Sequence, residues 1–323
     1  MPSRLRALTS SITRPGRGLL LLVAVTTLAP VACSSDPSGP SSDATTYIAG
    51  QFYSDSHNFI DYQAGNLPIV LGAPHGGYLE PAEIPDRTWG TTVRDARTQE
   101  LARSFSAIIH EQTGGYAHVV ICKLARIKMD ANRDVDEAAQ GNRLAQEAWA
   151  AWHLFIDVAK DTILARYGQG LYIDLHGHGH EIDRLELGYL ITGSELELTD
   201  QEMIDQDLAA ESSIRALSQT TSASFPELLR GSNSLGTLLQ IRGYASVPSQ
   251  WIRDPGGAPF FSGGYNTLRH GSRDGGTMSA VQIECYRTGV RDSEANREAF
   301  ATALVSSLEI FFETHFGITL GGP

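Results

Sequence analysis

The sequence predicts an α/β domain built on a mixed, mostly parallel central sheet with helices on its faces. Three observations predict it. From about Asn66 onward, short apolar runs alternate with longer stretches of helical periodicity. The chain has 323 residues, 41% hydrophobic and 19% charged, which is enough to bury a full core and excludes disorder or a disulfide-stapled miniprotein. No internal repeat and no second linker breaks the pattern, so residues 47–323 read as one domain.

The segment before that domain reads as an address. Residues 1–32 carry Arg4, Arg6, Arg14 and Arg17 ahead of the apolar run Leu19 to Ala32, which is too short for a membrane span and fits a secretory signal. The run ends in Pro30-Val31-Ala32-Cys33, and a Ser/Pro/Gly-rich stretch follows to Thr46, read as a flexible tether over 33–46. Small residues before a Cys resemble a bacterial lipoprotein signal, which implies lipidation at Cys33 and a protein exported to the cell envelope. Ordinary cleavage into a periplasmic or secreted form is the alternative. The formal net charge of −12 becomes more negative once the four N-terminal arginines are lost, which disfavours nucleic acid as a partner.

Strands are expected over Pro68 to Ala73, Ala117 to Leu124, Leu171 to Leu175, Leu187 to Thr192 and Ala280 to Cys285. A helix from Asp95 to Gln112 carries Leu101, Phe105, Ile108 and Ile109 on one face and stops at Gly114-Gly115. A longer one sets Ala145, Trp149, Trp152, Ile156, Ala159 and Ile163 at alternating steps of four and three, a buried face with the tryptophans in the core. The last, about Ser293 to Phe312, aligns Phe300, Leu304, Leu308 and Phe311. The glycine-rich stretch Asp254 to Gly276 has little periodicity and reads as a loop, functional or mobile. Export leaves Cys122 and Cys285 either bridged or as two buried free thiols.

Four segments carry chemistry. Pro74-His75-Gly76-Gly77 with Glu80 leaves the end of a strand, and His with carboxylate suits zinc. Asp174-Leu175-His176-Gly177-His178-Gly179-His180 ends another; alternation puts Asp174 and His176 on one face, so Asp174 could orient a ring nitrogen of His176, while His178 and His180 read as an exposed polar loop. Arg126, Lys128, Asn132 and Arg133 cluster after a third strand and offer an anion site, or a turn salt-bridged to Asp130 and Asp134. Glu284 interrupts an apolar strand, costly unless paired or used, and a raised pKa there would suit a general base.

Taken together, the Pro-His-Gly-Gly turn with Glu80, Asp130-x-Asn132-Arg133, Asp174-Leu175-His176-Gly177 and Gln282-x-Glu284 resemble the N-formylglutamate amidohydrolase family and its poly-γ-glutamate hydrolase relatives. Both are allied in fold to the zinc carboxypeptidases. The resemblance implies one Zn²⁺ per chain on His75, Glu80 and His176, with Glu284 as general base and Arg126 facing the developing oxyanion. Asn132 and Arg133 would grip a substrate carboxylate. Four residues separate His75 from Glu80 where the carboxypeptidases have two, so Asp95 stays open as the carboxylate ligand. The activity implied is hydrolysis of an amide in an acidic substrate: an acyl-amino acid, a γ-glutamyl bond or a peptide, with carboxypeptidase action as a variant. The alternative outside enzymology is an exported lipoprotein that binds zinc or a peptide without turning it over.

Overall fold

The computed structural model describes residues 46–321. The signal segment, Cys33 and the tether up to residue 45 lie outside the described residues. Eight strands form one sheet: β1 (Phe52–Ser54), β2 (Ile60–Gln63), β3 (Ile69–Ala73), β4 (His118–Cys122), β5 (Gly170–Gly177), β6 (Leu185–Gly188), β7 (Ser246–Val247) and β8 (Met278–Cys285). Their order is β1-β2-β4-β3-β5-β8-β6-β7. The centre, β4-β3-β5-β8, is parallel, while β2 and β6 flank it antiparallel. Central strands covered on both faces read as unbroken apolar runs, which is why β3, β4, β5 and β8 fall where the periodicity predicts.

Alternation divides the core into two layers. Ile69, Leu71 and Ala73 face the helices Thr98–Thr113 and Glu294–Phe311 through Leu101, Phe105, Phe300 and Leu304. Val70 and Tyr172 face the helix Arg143–Tyr167 through Trp152 and Ile156. That helix starts where the Asn142 side chain accepts the Ala145 N–H, satisfying one of the unpaired donors of its first turn. Trp149 is only half-buried and donates its Nε1–H to the Arg133 carbonyl. Among the described residues, no helix is long and apolar enough to cross a membrane.

Two expectations need correction and one open alternative is decided. The strand expected at Leu187 to Thr192 is β6, Leu185–Gly188, because the chain turns at Leu190, whose φ of 65° lies in the left-handed region. The stretch Asp254 to Gly276 is not wholly irregular, since a helix runs from Tyr265 to His270 inside it. A Cys122–Cys285 bridge is ruled out: the two sit on β4 and β8, three strand spacings or roughly 14 Å apart, and both are buried free thiols that burial pushes up to about 12.

Burial also sets a pH dependence. His118, on β4, accepts hydrogen bonds at Nδ1 from the Tyr62 hydroxyl (2.8 Å) and the Gly65 N–H (3.1 Å), so protonation removes both, and burial lowers its pKa to about 4. A lowered histidine pKa means the unfolded chain takes the proton first. The contribution of His118 is therefore complete above about pH 6.5 and is lost as pH falls through about 4. Wild type should lose up to roughly 3 kcal/mol relative to His118→Asn between those limits in denaturant titrations. Parallel curves for the two proteins would remove His118 from the acid sensitivity.

Candidate metal centre

The site lies at the C-terminal edge of the parallel strands, where open α/β sheets place ligands. His75 leaves β3 into a turn that only glycine fits. A Cβ at Gly76 would meet the Gln99 nitrogen at 2.4 Å, and one at Gly77 the Leu124 carbonyl oxygen at 2.3 Å. The turn is thus pressed between the helix Thr98–Thr113 and the segment after β4. The His75 carbonyl then accepts the Asp95 N–H at 3.1 Å, drawing a loop twenty residues downstream onto the strand end.

His176, in β5, stands beside His75 with ring centroids 4.8 Å apart. His75 Nε2 lies 2.6 Å from Asp130 Oδ1, and His176 Nε2 lies 3.0 Å from Asp174 Oδ2. Asp130 accepts the His75 Nε2–H, Asp174 stands against His176 Nε2, and both Nδ1 atoms face the centre: His176 Nδ1 is 2.9 Å and His75 Nδ1 3.4 Å from the same oxygen, Asp95 Oδ2. The three donor atoms of His75, Asp95 and His176 lie within 4.8 Å of one another, and all three residues are buried.

Two imidazoles and a carboxylate, with an outer carboxylate against each imidazole's Nε2, are a donor set that suits a divalent metal such as zinc with positions left open. The charges agree. Burial alone would raise Asp95 and Asp130, but the adjoining histidines, and Arg126 for Asp130, hold both well below the usual carboxylate range. His176 is raised against the opposing effect of burial, chiefly by Asp174.

Glu80 is not part of this cluster. Leu79 pairs with Leu124 as an extension of the sheet, its N–H donating to the Lys123 carbonyl, so the chain runs on extended and leaves Glu80 exposed. Asp95 instead joins the two histidines in the cluster.

The remaining expected residues divide. Glu284 lies opposite His176 across β5 and β8, is 5% exposed, and accepts a hydrogen bond from Gln282 Nε2 at 3.0 Å. Burial pushes its carboxyl up to about 8; Asp95, Glu186 and Asp174 add to the rise and His176 opposes it. Arg126 lines the same cleft, but its Nε donates to Asp130 Oδ2 at 2.9 Å, so its charge is shared with the carboxylate that orients His75. Asn132 is committed to the protein: its Oδ1 accepts the Asn266 N–H at 2.7 Å and its Nδ2 sits 3.2 Å from His176 Nε2. Arg133 bonds Glu137 and its neighbour's carbonyl through Nε and Nη1, and among the described residues its Nη2 takes no partner.

Sequence reasoning missed three participants. Asp130 figured as an ion-pair partner and as part of the Asp130-x-Asn132-Arg133 motif, without a role at the histidines, and Glu186 did not figure at all. His178 is not an exposed loop residue but buried, donating from Nε2 to the Arg184 carbonyl and accepting the His180 N–H at Nδ1. The signal available for Asp130 was its place in the same turn as Arg126, after a strand adjoining that of His75.

The cleft over these residues has a volume of about 590 Å³. No family profile and no curated protein matches the chain. Among solved structures it is similar to N-formylglutamate amidohydrolase from Ralstonia eutropha JMP134, at 12% identity over 80% of this chain and 99% of that one, with a TM-score of 0.51. Looser likenesses include succinylglutamate desuccinylase from Chromobacterium violaceum, at 10% identity over 82% of this chain and 67% of that one with a TM-score of 0.35. Another is N-acetylmuramyl-L-alanine amidase from Mycobacterium abscessus, at 13% identity over 76% and 98% with a TM-score of 0.34. Identities this low speak to architecture alone, and on that ground this chain has the fold of N-formylglutamate amidohydrolase.

Proposed function

We propose that the protein is a metal-dependent hydrolase of an amide bond in a substrate bearing a free carboxylate. One observation carries this reading: two imidazoles with Asp130 and Asp174 beyond their Nε2 atoms turn both Nδ1 atoms toward Asp95, directly beside a buried Glu284 that forms no ion pair among the described residues. A metal carrier needs the first three groups and has no use for the fourth.

His75 Nδ1, Asp95 and His176 Nδ1 would hold the ion, one per chain, and zinc fits the donors. When bound, it supplies Lewis acidity at the scissile carbonyl and lowers the pKa of water at the site. Glu284 takes the proton from the attacking water and hands it to the leaving nitrogen. Arg126, fixed by Asp130, offers positive charge to the carbonyl oxygen as it becomes anionic, where charge is worth more than in the ground state. Arg133 receives the substrate carboxylate through its free Nη2. Asn132 acts by packing on His176, a positioning residue.

Purified protein, zinc-loaded and assayed against N-acyl-amino acids, γ-glutamyl dipeptides and their neutral amides, tests the reading. Zinc-dependent release of amine from the carboxylate compounds is expected, and no turnover of any of them by a stoichiometrically loaded protein refutes it. Arg133→Ala should weaken kcat/KM for the carboxylate substrate by about 30-fold, the low end for losing half of a charge pair, because the side chain is one-third exposed and already shared with Glu137. The neutral analogue should lose far less. Equal losses would return Arg133 to a structural role.

The same reading includes lipid anchoring at Cys33, which would set the substrate outside the cytoplasm, among envelope peptides and acyl-amino acids.

A further inference from the structure

The sheet order gives the cleft two ends. The arginine segment follows β4 on one side of His75 and His176, while β8 and then β6 lie on the other. Register carries one row of side chains across three strands: His176 opposite Glu284, and Glu284 opposite Glu186. Glu186 is fully buried and both its oxygens are engaged. Oε1 lies 2.8 Å from His180 Nδ1 and Oε2 accepts the Phe261 N–H at 2.8 Å. The His180 and Phe261 rings stack, with centroids 4.7 Å apart and planes 10° from parallel.

Phe261 lines the cleft and is 43% exposed, although its backbone and its ring partner are both fixed by the one buried carboxylate. An aromatic face held open in a cleft is a preorganised surface for another flat group. A second metal ion does not fit here. His178, His180 and Glu186 cluster within ligand range, but both ring nitrogens of His178 are already bonded within the protein, so no lone pair is left.

We propose that the stacked Phe261 and His180 rings form an acyl-side subsite that binds a flat, largely apolar ring on the carbonyl half of the substrate. This rests on the amide-hydrolase reading and extends it across the scissile bond. With the carboxylate end at Arg133 and the reacting carbonyl between His75, His176 and Glu284, the acyl group extends toward β6. A formyl group would leave that end empty. The cleft volume of about 590 Å³ lies in the range that encloses much larger ligands.

The test compares N-formyl-L-glutamate with N-benzoyl-L-glutamate, which share the carboxylate half and differ only in the acyl group. The zinc-loaded wild type should favour the benzoyl compound in kcat/KM by about tenfold or more. Phe261→Ala should collapse that ratio toward one, and Phe261→Tyr, which keeps the ring, should restore it. A wild-type preference for formyl, or a ratio unmoved by Phe261→Ala, overturns the subsite. Calorimetric titration of N-benzoyl-L-glutamate and L-glutamate separates this from failure of the parent reading. If neither amide is hydrolysed yet the benzoyl compound binds about tenfold more tightly than glutamate in wild type and not in Phe261→Ala, the subsite stands and the hydrolase reading falls. No Phe261-dependent difference in binding overturns the subsite itself.

Discussion

Glu284→Gln is expected to keep the fold and the metal and to lose about 10²–10⁴ in kcat, the usual worth of general-base assistance. The substitution is nearly isosteric at a site only 5% exposed, and the new amide oxygen can still accept the Gln282 Nε2–H, so packing and that hydrogen bond survive. What disappears is the ability to take a proton. In the metal-free protein burial pushes the Glu284 carboxyl up to about 8, and a divalent ion held by His75, Asp95 and His176 would draw it back down by its charge. The group is therefore placed to change protonation near neutrality, as a base that later acts as an acid must. Steady-state kinetics beside elemental analysis of the same preparation decides it. A zinc-replete variant within about threefold of wild type would remove Glu284 from the chemistry, and insoluble protein would mark the carboxyl as structural.

Glu284 was legible in the sequence because a charge in an apolar strand costs free energy and asks for a reason. The same holds for the four central strands, whose burial on both faces leaves continuous runs such as Ile69–Ala73. The edges were not legible. Phe52–Ser54 and Ile60–Gln63 are only three and four residues long, too short to separate from loop, and their place is set by pairing of β2 with β4 and of β1 with β2. Ser246–Val247, two residues long, carries no periodicity. The Leu185–Gly188 strand was displaced in the reading because its Glu186 breaks the apolar run, and that buried carboxylate finds its partners in His180 and Phe261 outside the strand.

The site shows the same division. Its histidines announced themselves at strand ends, and the Asp174–His176 alternation announced one orienting carboxylate. Asp95 remained an alternative to Glu80 because its link to His75 is a backbone hydrogen bond between residues twenty apart, which no local pattern encodes. Glu80 was attractive by proximity in sequence and by the resemblance of its turn to that of the poly-γ-glutamate hydrolases. Pairing of Leu79 with Leu124 carries it off, a consequence of sheet extension invisible without the fold.

That displacement sets the second large effect. Asp95→Ala should abolish stoichiometric zinc binding, whereas Glu80→Ala should bind zinc as wild type does. The exposed Glu80 lies outside the cluster, while Asp95 Oδ2 faces both Nδ1 atoms at 2.9 and 3.4 Å. The outer carboxylates should behave differently from both. Asp130→Asn and Asp174→Asn leave every ligand atom in place but weaken the acceptor that fixes each ring, so zinc should still bind with affinity lowered about 10- to 100-fold. Of the two, Asp130→Asn should cost more. Asp130 also accepts from Arg126 Nε at 2.9 Å, and Arg87 Nη1 lies 3.6 Å away, so neutralising it takes a charge partner from two buried guanidinium groups. Competition with a chromophoric chelator gives the affinities and elemental analysis the stoichiometry. Zinc lost from Glu80→Ala, or kept by Asp95→Ala, would show that the ion is held by other residues than the three that converge here. Equal affinities across wild type and both Asn variants would mean that the rings are aligned by packing rather than by their carboxylates.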